Sequence, residues 1–236
     1  MQRQYLKNMA MNEIILKHNF DNFSIDAKIS FNDGEIIALF GDSGSGKSTM
    51  LKLIAGIIGD GKIPKKDLAF LFQDCTLFEN YNVWQNLVYS NTKTLFDDIL
   101  HIFNKFLDED DKKYYEHLLL LAGLSDYKNV NVKNLSGGQR QRLALICALS
   151  KKAKYILLDE PLSALDDTNK IALIKLIKTL NKELNCSIIL VSHSCFEINA
   201  LAQKIYFVNN GRITKCLNKD EFYKEKILNN EFLCMI

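Results

Sequence analysis

The chain has 236 residues, which is enough to bury a substantial core without disulfides or a structural metal. It is 47% hydrophobic and 25% charged, a composition that excludes a disordered chain and indicates an ordinary folded protein. Its 30 basic and 28 acidic residues leave a formal charge of +2, too little to indicate nucleic acid or an anionic membrane as a partner. Any phosphate chemistry is therefore expected at a local site.

The cysteines and the apolar runs indicate the compartment. The six cysteines contain no C-x-x-C pair and no Cys/His cluster at zinc-ligand spacing, which is typical of reduced thiols in a cytoplasmic protein. No apolar run approaches the roughly 18 residues of a membrane span, and residues 1–18 lack the apolar core of a secretory signal. We expect a chain that neither crosses a membrane nor is exported by its own signal.

In chain order, the sequence first predicts short strands separated by Asn, Asp and Gly turn signals, over residues 14–16, 23–29 and 36–40. A glycine-rich segment follows at 41–47, and a helix is predicted over 48–58 because its apolar residues recur at helical spacing. A further apolar run at 68–72 leads into Gln73. The order at the glycine-rich segment is therefore strand, loop, helix.

Helical patterns then cover residues 84–89 and 94–122, and a charged run at 107–113 interrupts the second of them. Because charge runs are usually solvated, this run is expected to connect two helices. Another helix is predicted to begin after Leu135 and to continue through Leu149.

Two strands of the buried type follow at 155–158 and 187–191, and a predicted helix at 170–184 lies between them. The order strand, helix, strand indicates a parallel sheet. The simplest partition is one α/β domain over 12–236 with an inserted helical lobe at about 86–134, preceded by an extension at 1–11.

The phosphate-loop pattern G-x-x-x-x-G-K-[ST] is matched by Gly41-Asp42-Ser43-Gly44-Ser45-Gly46-Lys47-Ser48. Glycine lets backbone N–H groups turn inward around phosphates, and the helix N-terminus adds the positive end of its dipole. In this pattern Lys47 would bridge the β- and γ-phosphates of a nucleotide, and the Ser48 hydroxyl would bind Mg²⁺. The alternative is a glycine-rich turn that only caps a helix.

A pair of carboxylates, Asp159 and Glu160, follows the predicted strand at 155–158. Open α/β sheets bind their ligands at the carboxyl ends of the strands. One carboxylate can hold Mg²⁺ through water while the other orients an attacking water, which favours hydrolysis. Taken alone, the pair could equally be a polar turn after a strand.

A second glycine cluster lies at Ser136-Gly137-Gly138-Gln139, which first predicts a capping box with Ser136 at the N-cap and Gln139 at N3. Two glycines in the first turn are a poor choice for stability, because each costs about 1 kcal/mol relative to Ala. They indicate that something approaches the backbone closely, and a helix N-terminus suits an anion.

With these motifs in place, the chain resembles the ATP-binding-cassette (ABC) family, specifically the nucleotide-binding subunits of membrane transporters. The run Leu135-Ser-Gly-Gly-Gln-Arg-Gln-Arg142 is similar to the family's signature motif. The other motifs occur in family order, with Walker A at 41–49, the Q-loop at 71–74, Walker B at 155–160, the D-loop at 161–166 and the switch histidine at 190–193. The resemblance covers about residues 12–213.

The resemblance implies a P-loop NTPase fold with a parallel-sheet core, an antiparallel β lobe and an inserted α-helical lobe. Between Lys47 and Gln73 the chain is shorter than the family norm, so the antiparallel lobe is expected to be trimmed. Ser194 follows His193 where Asp is commoner, which is expected to weaken a neighbouring contact. The regulatory domain that many import ATPases carry after residue 213 is expected to be absent.

The resemblance also implies a head-to-tail dimer that buries two ATP molecules, each between the Walker A segment of one subunit and the signature of the other. The implied trans contacts come from Ser136, Gly137, Gly138 and Gln139, with Asp166 in the D-loop. In cis, residues 41–49, including Thr49, hold the nucleotide. Glu160 would be the general base, Asp159 and Gln73 would complete the Mg²⁺ shell with Ser48, and His193 would fix the γ-phosphate and the attacking water.

The adenine contact is implied by the family's aromatic residue some way before Walker A. Phe20, Phe23 and His18 are the candidates. Phe23 fits better as an inward residue of the strand over 23–29, so Phe20 is preferred.

The partners and the cargo follow from the same resemblance. A second copy, an integral membrane permease and a substrate-binding protein are implied, with the chain peripheral on the inner face of the cell membrane. Trp84 and the aromatic residues near Gln73 are expected to line the groove that receives the permease's coupling helix. The stretches at 22–26 and 72–83 resemble ATPases of molybdate, tungstate and sulfate importers.

The sequence leaves three other classes of protein open. They are a soluble cassette ATPase of DNA repair or translation, an exporter or cell-division ATPase subunit, and a regulatory cassette that binds ATP without turnover.

Overall fold

A computed structural model describes residues 11–72, 77–90 and 107–228. The strands in these segments form one sheet and are β1 Met11–Asn19, β2 Ser24–Asn32, β3 Ile36–Phe40, β4 Leu68–Leu71, β5 Tyr155–Asp159, β6 Ser187–Ser192, β7 Lys204–Asn209 and β8 Arg212–Asn218. Their order across the sheet is β1-β2-β8-β7-β3-β6-β5-β4.

The centre of the sheet is parallel and one side is antiparallel. Strands β7, β3, β6, β5 and β4 all run in the same direction. The β1–β2 hairpin and the β7–β8 pair are antiparallel. Ahead of β4, residues 55–67 form turns and a short 3₁₀ helix at Lys65–Asp67, without a strand. The predicted α/β fold, with its parallel core and reduced antiparallel lobe, is confirmed.

The helices in the described residues are α1 Lys47–Ile54, α2 Val83–Tyr89, α3 Glu109–Leu121, α4 Gly137–Leu149, α5 Asp167–Leu184, α6 Cys195–Leu201 and α7 Lys219–Leu228. Helix α1 follows β3 directly through the glycine-rich loop, as predicted. It ends at Ile54, earlier than the predicted Ile58, because Gly56 and Gly59 adopt positive φ of 68° and 62° in the turns that follow.

The charged run at 107–113 is not a connection between helices, and that prediction was wrong. Asp108 is the N-cap of α3, where its side chain accepts a hydrogen bond from the Asp111 N–H at 2.7 Å. Three acidic residues, at 109–111, occupy the first turn of α3. Negative side chains are favourable at that end of a helix because they face unpaired N–H groups and the positive end of the dipole.

Apolar residues are buried on both faces of the sheet. Alternate residues of β3 point to opposite sides, since Ile36 and Ala38 belong to one buried cluster and Ile37 and Leu39 to another. The first cluster includes side chains of α2 to α6, and the second includes those of α1 and the β1–β2 hairpin. The partition into a single domain over 12–236, with a helical lobe at about 86–134, stays a prediction.

Trp84 belongs to the first cluster, and its expected position in a surface groove was wrong. It is 5% exposed, and the Lys128 Nζ lies 4.0 Å from the ring centroid. Its ring also meets Tyr115 edge to face, with centroids 6.1 Å apart. The contact between these two rings packs the start of α2 against α3.

The β1–β2 hairpin has little backbone pairing with the rest of the sheet, although its apolar side chains share the second buried cluster. One parallel pair, Asp26 with Arg212, links β2 to β8. Beyond it, the Tyr206 hydroxyl donates to the Ser30 carbonyl at 2.6 Å, and Lys204 Nζ donates to the same oxygen at 2.6 Å. These contacts fix the hairpin whose turn lies next to the glycine-rich loop. Over the described ranges, no helix has the combined length and apolar character that crossing a membrane requires.

Candidate functional site

The phosphate loop connects the end of β3 to the start of α1, in the centre of the sheet. Three of its glycines adopt positive φ, at 158° for Gly41, 81° for Gly44 and 104° for Gly46. A Cβ on Gly41 would lie 2.2 Å from the Val208 carbonyl oxygen, and one on Gly46 would lie 2.7 Å from the Phe23 ring. Both positions therefore require glycine for space, and Gly46 also requires it for conformation.

Lys47 folds back over the loop. Its Nζ donates to the carbonyl oxygens of Gly41 and Asp42 at 2.8 and 2.7 Å, and the residue is 5% exposed. Burial lowers the pKa of Lys47, while the charges of Glu160, Asp42 and Asp159 act in the opposite direction. The ammonium therefore lies at the centre of the loop among acceptors, where phosphate oxygens could replace the carbonyls.

Ser48 and Asp159 meet at the carboxyl edge of the sheet. The Ser48 hydroxyl donates to Asp159 Oδ1 at 2.7 Å. Burial raises the pKa of the Asp159 carboxyl, and the hydrogen bond from Ser48 opposes that shift. A hydroxyl and a carboxylate are oxygen ligands of the kind that Mg²⁺ accepts, and both are within reach of the loop.

The residues present fit a cation that is bound by both protein and phosphate oxygens better than a cation that is bound by protein ligands alone. Within the described ranges, no cluster of three His, Cys, Asp or Glu residues could hold a metal ion. Mg²⁺ usually takes one or two protein ligands and completes its shell with water and substrate phosphates. The predicted ligand Gln73 lies outside the described residues.

Glu160 and His193 approach each other from neighbouring strands. Glu160 follows β5 and His193 follows β6, and the His193 Nδ1 and Glu160 Oε1 atoms lie 3.3 Å apart. The Glu160 backbone has a φ of 46°, unusual for a residue that is not glycine. Its N–H donates to the Val191 carbonyl at 3.1 Å, which holds this conformation. Backbone outliers of this kind cluster at functional sites.

A cavity of about 300 Å³ lies beside the loop. Phe23 and Glu160 line it together with Ser43, Gly44, Gly46, Lys47, Ser48 and Thr49. Phe23 lies one residue before β2, which begins at Ser24, and its partly buried ring packs inward against the second cluster as expected while it also lines this cavity. Phe20 is not among the lining residues; it packs on His18 and Phe23, with centroids 4.5 and 6.1 Å away.

The second glycine cluster forms the N-terminus of α4, and the predicted capping box is confirmed. The Gln139 N–H donates to Ser136 Oγ at 3.3 Å, and the Ser136 N–H donates to Gln139 Oε1 at 2.8 Å. Ser136 and Gly137 are exposed, and a Cβ on Gly137 would meet no atom within 4 Å. This helix N-terminus is therefore open to an approaching group at Gly137.

Gly138 has a different reason to be glycine. A Cβ there would lie 2.0 Å from Asn169 Oδ1, so the side chain of Asn169 takes the space. The Asn169 amide in turn donates to Asp166 Oδ2 at 2.7 Å, and the Asn169 N–H donates to Asp166 Oδ1 at 2.9 Å. Asp166 is thus the N-cap of α5, and its hydrogen bonds to Asn169 lower the pKa of its carboxyl.

A further hydrogen bond connects α4 to the segment after Glu160. The Gln141 Nε2 donates to the Pro161 carbonyl at 2.6 Å. The signature-like helix and the D-loop-like segment are therefore joined within one chain. The contacts of Asn169 and Gln141 could not be predicted, because contacts between segments distant in sequence carry no local signal.

Known proteins of similar sequence and structure identify the family. The family model described as ABC transporter matches residues 25–163, more than half of the chain. The chain is 33% identical to the sulfate/thiosulfate import ATP-binding protein CysA of Nocardia farcinica, over 92% of this chain and 67% of that protein. The chain belongs to the ABC transporter family.

This ABC ATPase also matches the thiamine import ATP-binding protein ThiQ of Histophilus somni, at 32% identity over 84% of the cassette and 94% of ThiQ. It spans only 54% of the sn-glycerol-3-phosphate import ATP-binding protein UgpC of Psychromonas ingrahamii, to which it is 35% identical. All of these relatives are named as import proteins, and the cargoes in their names differ.

Solved structures show the same fold as this cassette. The structure of CbiO1 from Clostridium perfringens, part of the ABC transporter complex CbiONQ, superposes with a TM-score of 0.77 and 24% identity, covering 95% of each chain. The ATP-binding cassette MJ0796, dimeric and bound to ADP and Pi, superposes with a TM-score of 0.67 and 23% identity, covering 89% of this chain and 97% of that one.

Proposed function

We propose that the cassette is the ATP-hydrolysing subunit of an ABC importer and drives transport through a separate integral membrane permease. The observation that carries the proposal is the meeting of three segments distant in sequence. The phosphate loop, Asp159, Glu160 and His193 lie at the carboxyl ends of β3, β5 and β6. The import names of the relatives support the direction of transport.

In this proposal ATP binds along the phosphate loop, with Lys47 and the N–H groups at the start of α1 against its phosphates. Residues 41–49 form this contact. Ser48 and Asp159, with Gln73, would hold Mg²⁺, which supplies charge neutralisation on the phosphates when bound. We assign the adenine contact to Phe23 in place of Phe20, because Phe23 lines the cavity beside the loop.

Glu160 is proposed as the general base that receives a proton from the attacking water. His193, next to it at 3.3 Å, would orient the water and the γ-phosphate. The backbone of Glu160 is held at positive φ by its bond to Val191, which keeps the carboxylate at a fixed place at the end of β5. Such positioning is the main contribution that a protein makes to phosphoryl transfer.

Each ATP would be completed by the signature of a second copy, with Ser136, Gly137, Gly138 and Gln139 against the γ-phosphate and Asp166 at the same interface. The exposed N-terminus of α4 supports this, because the Gly137 backbone is accessible and a helix N-terminus attracts anions. The dimeric solved neighbour supports a dimer for this fold.

The permease is proposed to dock in a second cavity, of about 520 Å³, between the segment after α1 and helix α4. Ile57 and Phe72 line it and are 50% and 41% exposed. Ala144 and Ala148 of α4 form the opposite wall. Exposed apolar side chains around a cavity of this size are typical of a protein contact. Bound there, the cassette would lie on the inner face of the membrane.

The cargo is proposed to be an oxyanion such as molybdate, tungstate or sulfate, delivered by a substrate-binding protein. The match to a sulfate/thiosulfate import protein supports an oxyanion. A match of similar extent to a thiamine import protein sets the competing outcome. Molybdenum, tungsten and sulfur content, measured in cells with and without the gene and alongside thiamine uptake, distinguishes the two.

ATP hydrolysis by the Glu160→Gln variant tests the central assignment. Removing the base is expected to lower kcat by about 100-fold or more while ATP binding persists, because the phosphate loop is untouched. Glu183→Gln is the matched control, since Glu183 is an exposed glutamate that contacts His117 away from the site. Hydrolysis at the wild-type rate in Glu160→Gln would contradict the assignment.

A further inference from the structure

The segment that carries His193 is built around a buried carboxylate that the proposed reaction does not use. Glu197 lies in the first turn of α6 and is 3% exposed. Its Oε2 accepts a hydrogen bond from the Ser192 hydroxyl at 2.7 Å, and Ser192 is itself 1% exposed. A buried carboxylate is costly unless it is paired, so this one needs partners that hold it.

The hydrogen bonds around Glu197 enclose His193 on both sides. The Ser194 N–H donates to Ser192 Oγ at 2.9 Å, directly across His193. The Glu197 N–H donates back to Ser194 Oγ at 3.4 Å, so a serine at this position keeps the capping contact of α6. The residues before and after His193 are therefore tied to each other and to one carboxylate.

The same carboxylate is also tied to a second element of the site. Lys170 Nζ lies 3.9 Å from Glu197 Oε1, and its side chain is 25% exposed. Lys170 belongs to the first turn of α5, where its N–H donates to the Asp166 carbonyl at 2.9 Å. Glu197 thus connects the His193 segment to the helix that follows the D-loop-like segment.

His193 itself has little to hold its ring. Its side chain is 57% exposed and contacts Glu160. A fixed backbone limits the positions that this exposed ring can take, and so keeps it near Glu160. We propose that Glu197, through Ser192 and with Lys170, is the positioning residue that fixes His193 against Glu160. The proposal rests on the proposed role of His193 in hydrolysis.

A purely structural role is the competing explanation, because a buried hydrogen bond in a first turn also stabilises a helix. The two explanations differ in what depends on His193. A positioning residue acts on kcat through the histidine, and its effect disappears once the histidine is removed. A structural residue lowers the amount of folded protein whether or not the histidine is present.

The experiment measures kcat and KM for ATP in the full-length chain for Glu197→Ala, alone and combined with His193→Ala. The expected result is a kcat lowered about 10-fold with KM changed less than about 2-fold, and less than a further 2-fold change in the His193→Ala background. An equal fall in both backgrounds, or no fall, would overturn the proposal.

A milder variant covers the case in which Glu197→Ala does not fold. Glu197→Gln keeps an oxygen that accepts from the Ser192 hydroxyl and removes the attraction to Lys170. Its kcat is expected to lie between those of wild type and Glu197→Ala, which is the rescue that a positioning role predicts. Where only Glu197→Gln folds, its kcat alone is the test, and a value equal to that of wild type contradicts the proposal.

Histidine NMR gives a readout that does not depend on activity. The chain has four histidines, and the His193 ring signals are assigned by their loss in His193→Ala. Glu197→Gln is expected to shift the His193 signals, while Glu183→Ala, which removes the partner of His117, shifts those of His117 instead. Unmoved His193 signals would overturn the inference.

Failure of the proposed ATPase function would give a different experimental result. If His193→Ala and Glu160→Gln hydrolyse ATP as fast as wild type, the proposed function fails. The NMR shift of His193 in Glu197→Gln still tests the positioning contact in that case.

Discussion

Two charged groups at the phosphate loop are held under conditions that disfavour their charge. Burial lowers the pKa of Lys47 and raises the pKa of the Asp159 carboxyl. A phosphate beside Lys47 and a divalent cation beside Asp159 would each reverse the effect, because each supplies an opposite charge. The two side chains are therefore suited to a nucleotide and its cation, at some expense to the stability of the chain without them.

Replacing Asp159 by Asn should therefore stabilise the chain without ligand at neutral pH. The folded state raises the pKa of Asp159, so it holds a proton over a range where the unfolded chain has released it. The stability of the wild type falls as pH rises from about 3.8 through that raised pKa, and the loss persists above it. Thermal unfolding should show a higher Tm for Asp159→Asn at pH 7 and a gap that closes as pH falls towards 3.8.

The same variant should lose function, with Mg²⁺ affinity in the presence of ATP reduced about 10- to 100-fold. Asp33→Asn is the control of opposite sign. A hydrogen bond from Asn12 lowers the pKa of Asp33, so the ionised form stabilises the fold and its loss should not raise Tm at pH 7. A lower Tm for Asp159→Asn at pH 7 would contradict this account.

At the scale of elements, the two glycines at the start of α4 are required for two different reasons. Both were interpreted from the sequence as leaving the backbone open to an approaching group. Gly137 fits that interpretation, since the space around it is open. Gly138 is required by its own chain, because the Asn169 side chain of α5 occupies the place of a Cβ. The packing of α4 on α5 therefore specifies part of the signature.

Gly138→Ala should destabilise the chain by about 1 to 3 kcal/mol through overpacking against Asn169. The double variant Gly138→Ala/Asn169→Ala should recover much of that loss, because Ala at 169 removes the Oδ1 and Cγ atoms that lie 2.0 and 2.3 Å from the new Cβ. Gly137→Ala is the matched control and should not destabilise. Urea unfolding measures all of these, and additive losses in the double variant would refute the packing explanation.

Elements with a strong local pattern were predicted well from the sequence. Strand β3 was found over 36–40 as predicted, and β5 and β6 extend their predicted ranges by one residue. The all-apolar runs of strands buried on both faces explain this success. Strands β7 and β8 were not predicted. Strand β8 is largely exposed and carries Arg, Thr and Lys among its apolar residues, whereas β7 has a buried apolar run that the prediction missed. The charged run at 107–113, which forms the N-cap and first turns of α3, was misjudged because a helix N-terminus favours the same acidic residues as a solvated loop.

At the scale of the whole molecule, the convergence of the motifs could be predicted, since parallel strands end at one edge of a sheet. The position of Phe23 beside the cavity could not be predicted. Phe23 reaches the loop because the hairpin turn packs on the β7–β8 turn, where a Cβ on Gly211 would lie 2.9 Å from the Phe23 ring. That contact joins residues almost 190 positions apart in the chain, and no local pattern encodes it.

The composite site of the proposed dimer predicts complementation between two inactive chains. Lys47→Ala removes the phosphate-loop lysine but keeps the signature, whereas Gly137→Trp fills the open space at the signature and keeps the loop. A head-to-tail heterodimer of the two has one intact site, formed by the loop of the second chain and the signature of the first. Half of the dimers in an equal mixture are heterodimers, and each heterodimer has one intact site out of two. The mixture should therefore regain up to about a quarter of the wild-type ATPase rate, while each variant alone stays inactive. Circular dichroism of each variant checks that it folds, and a mixture as inactive as its components would show that each site is built from one chain.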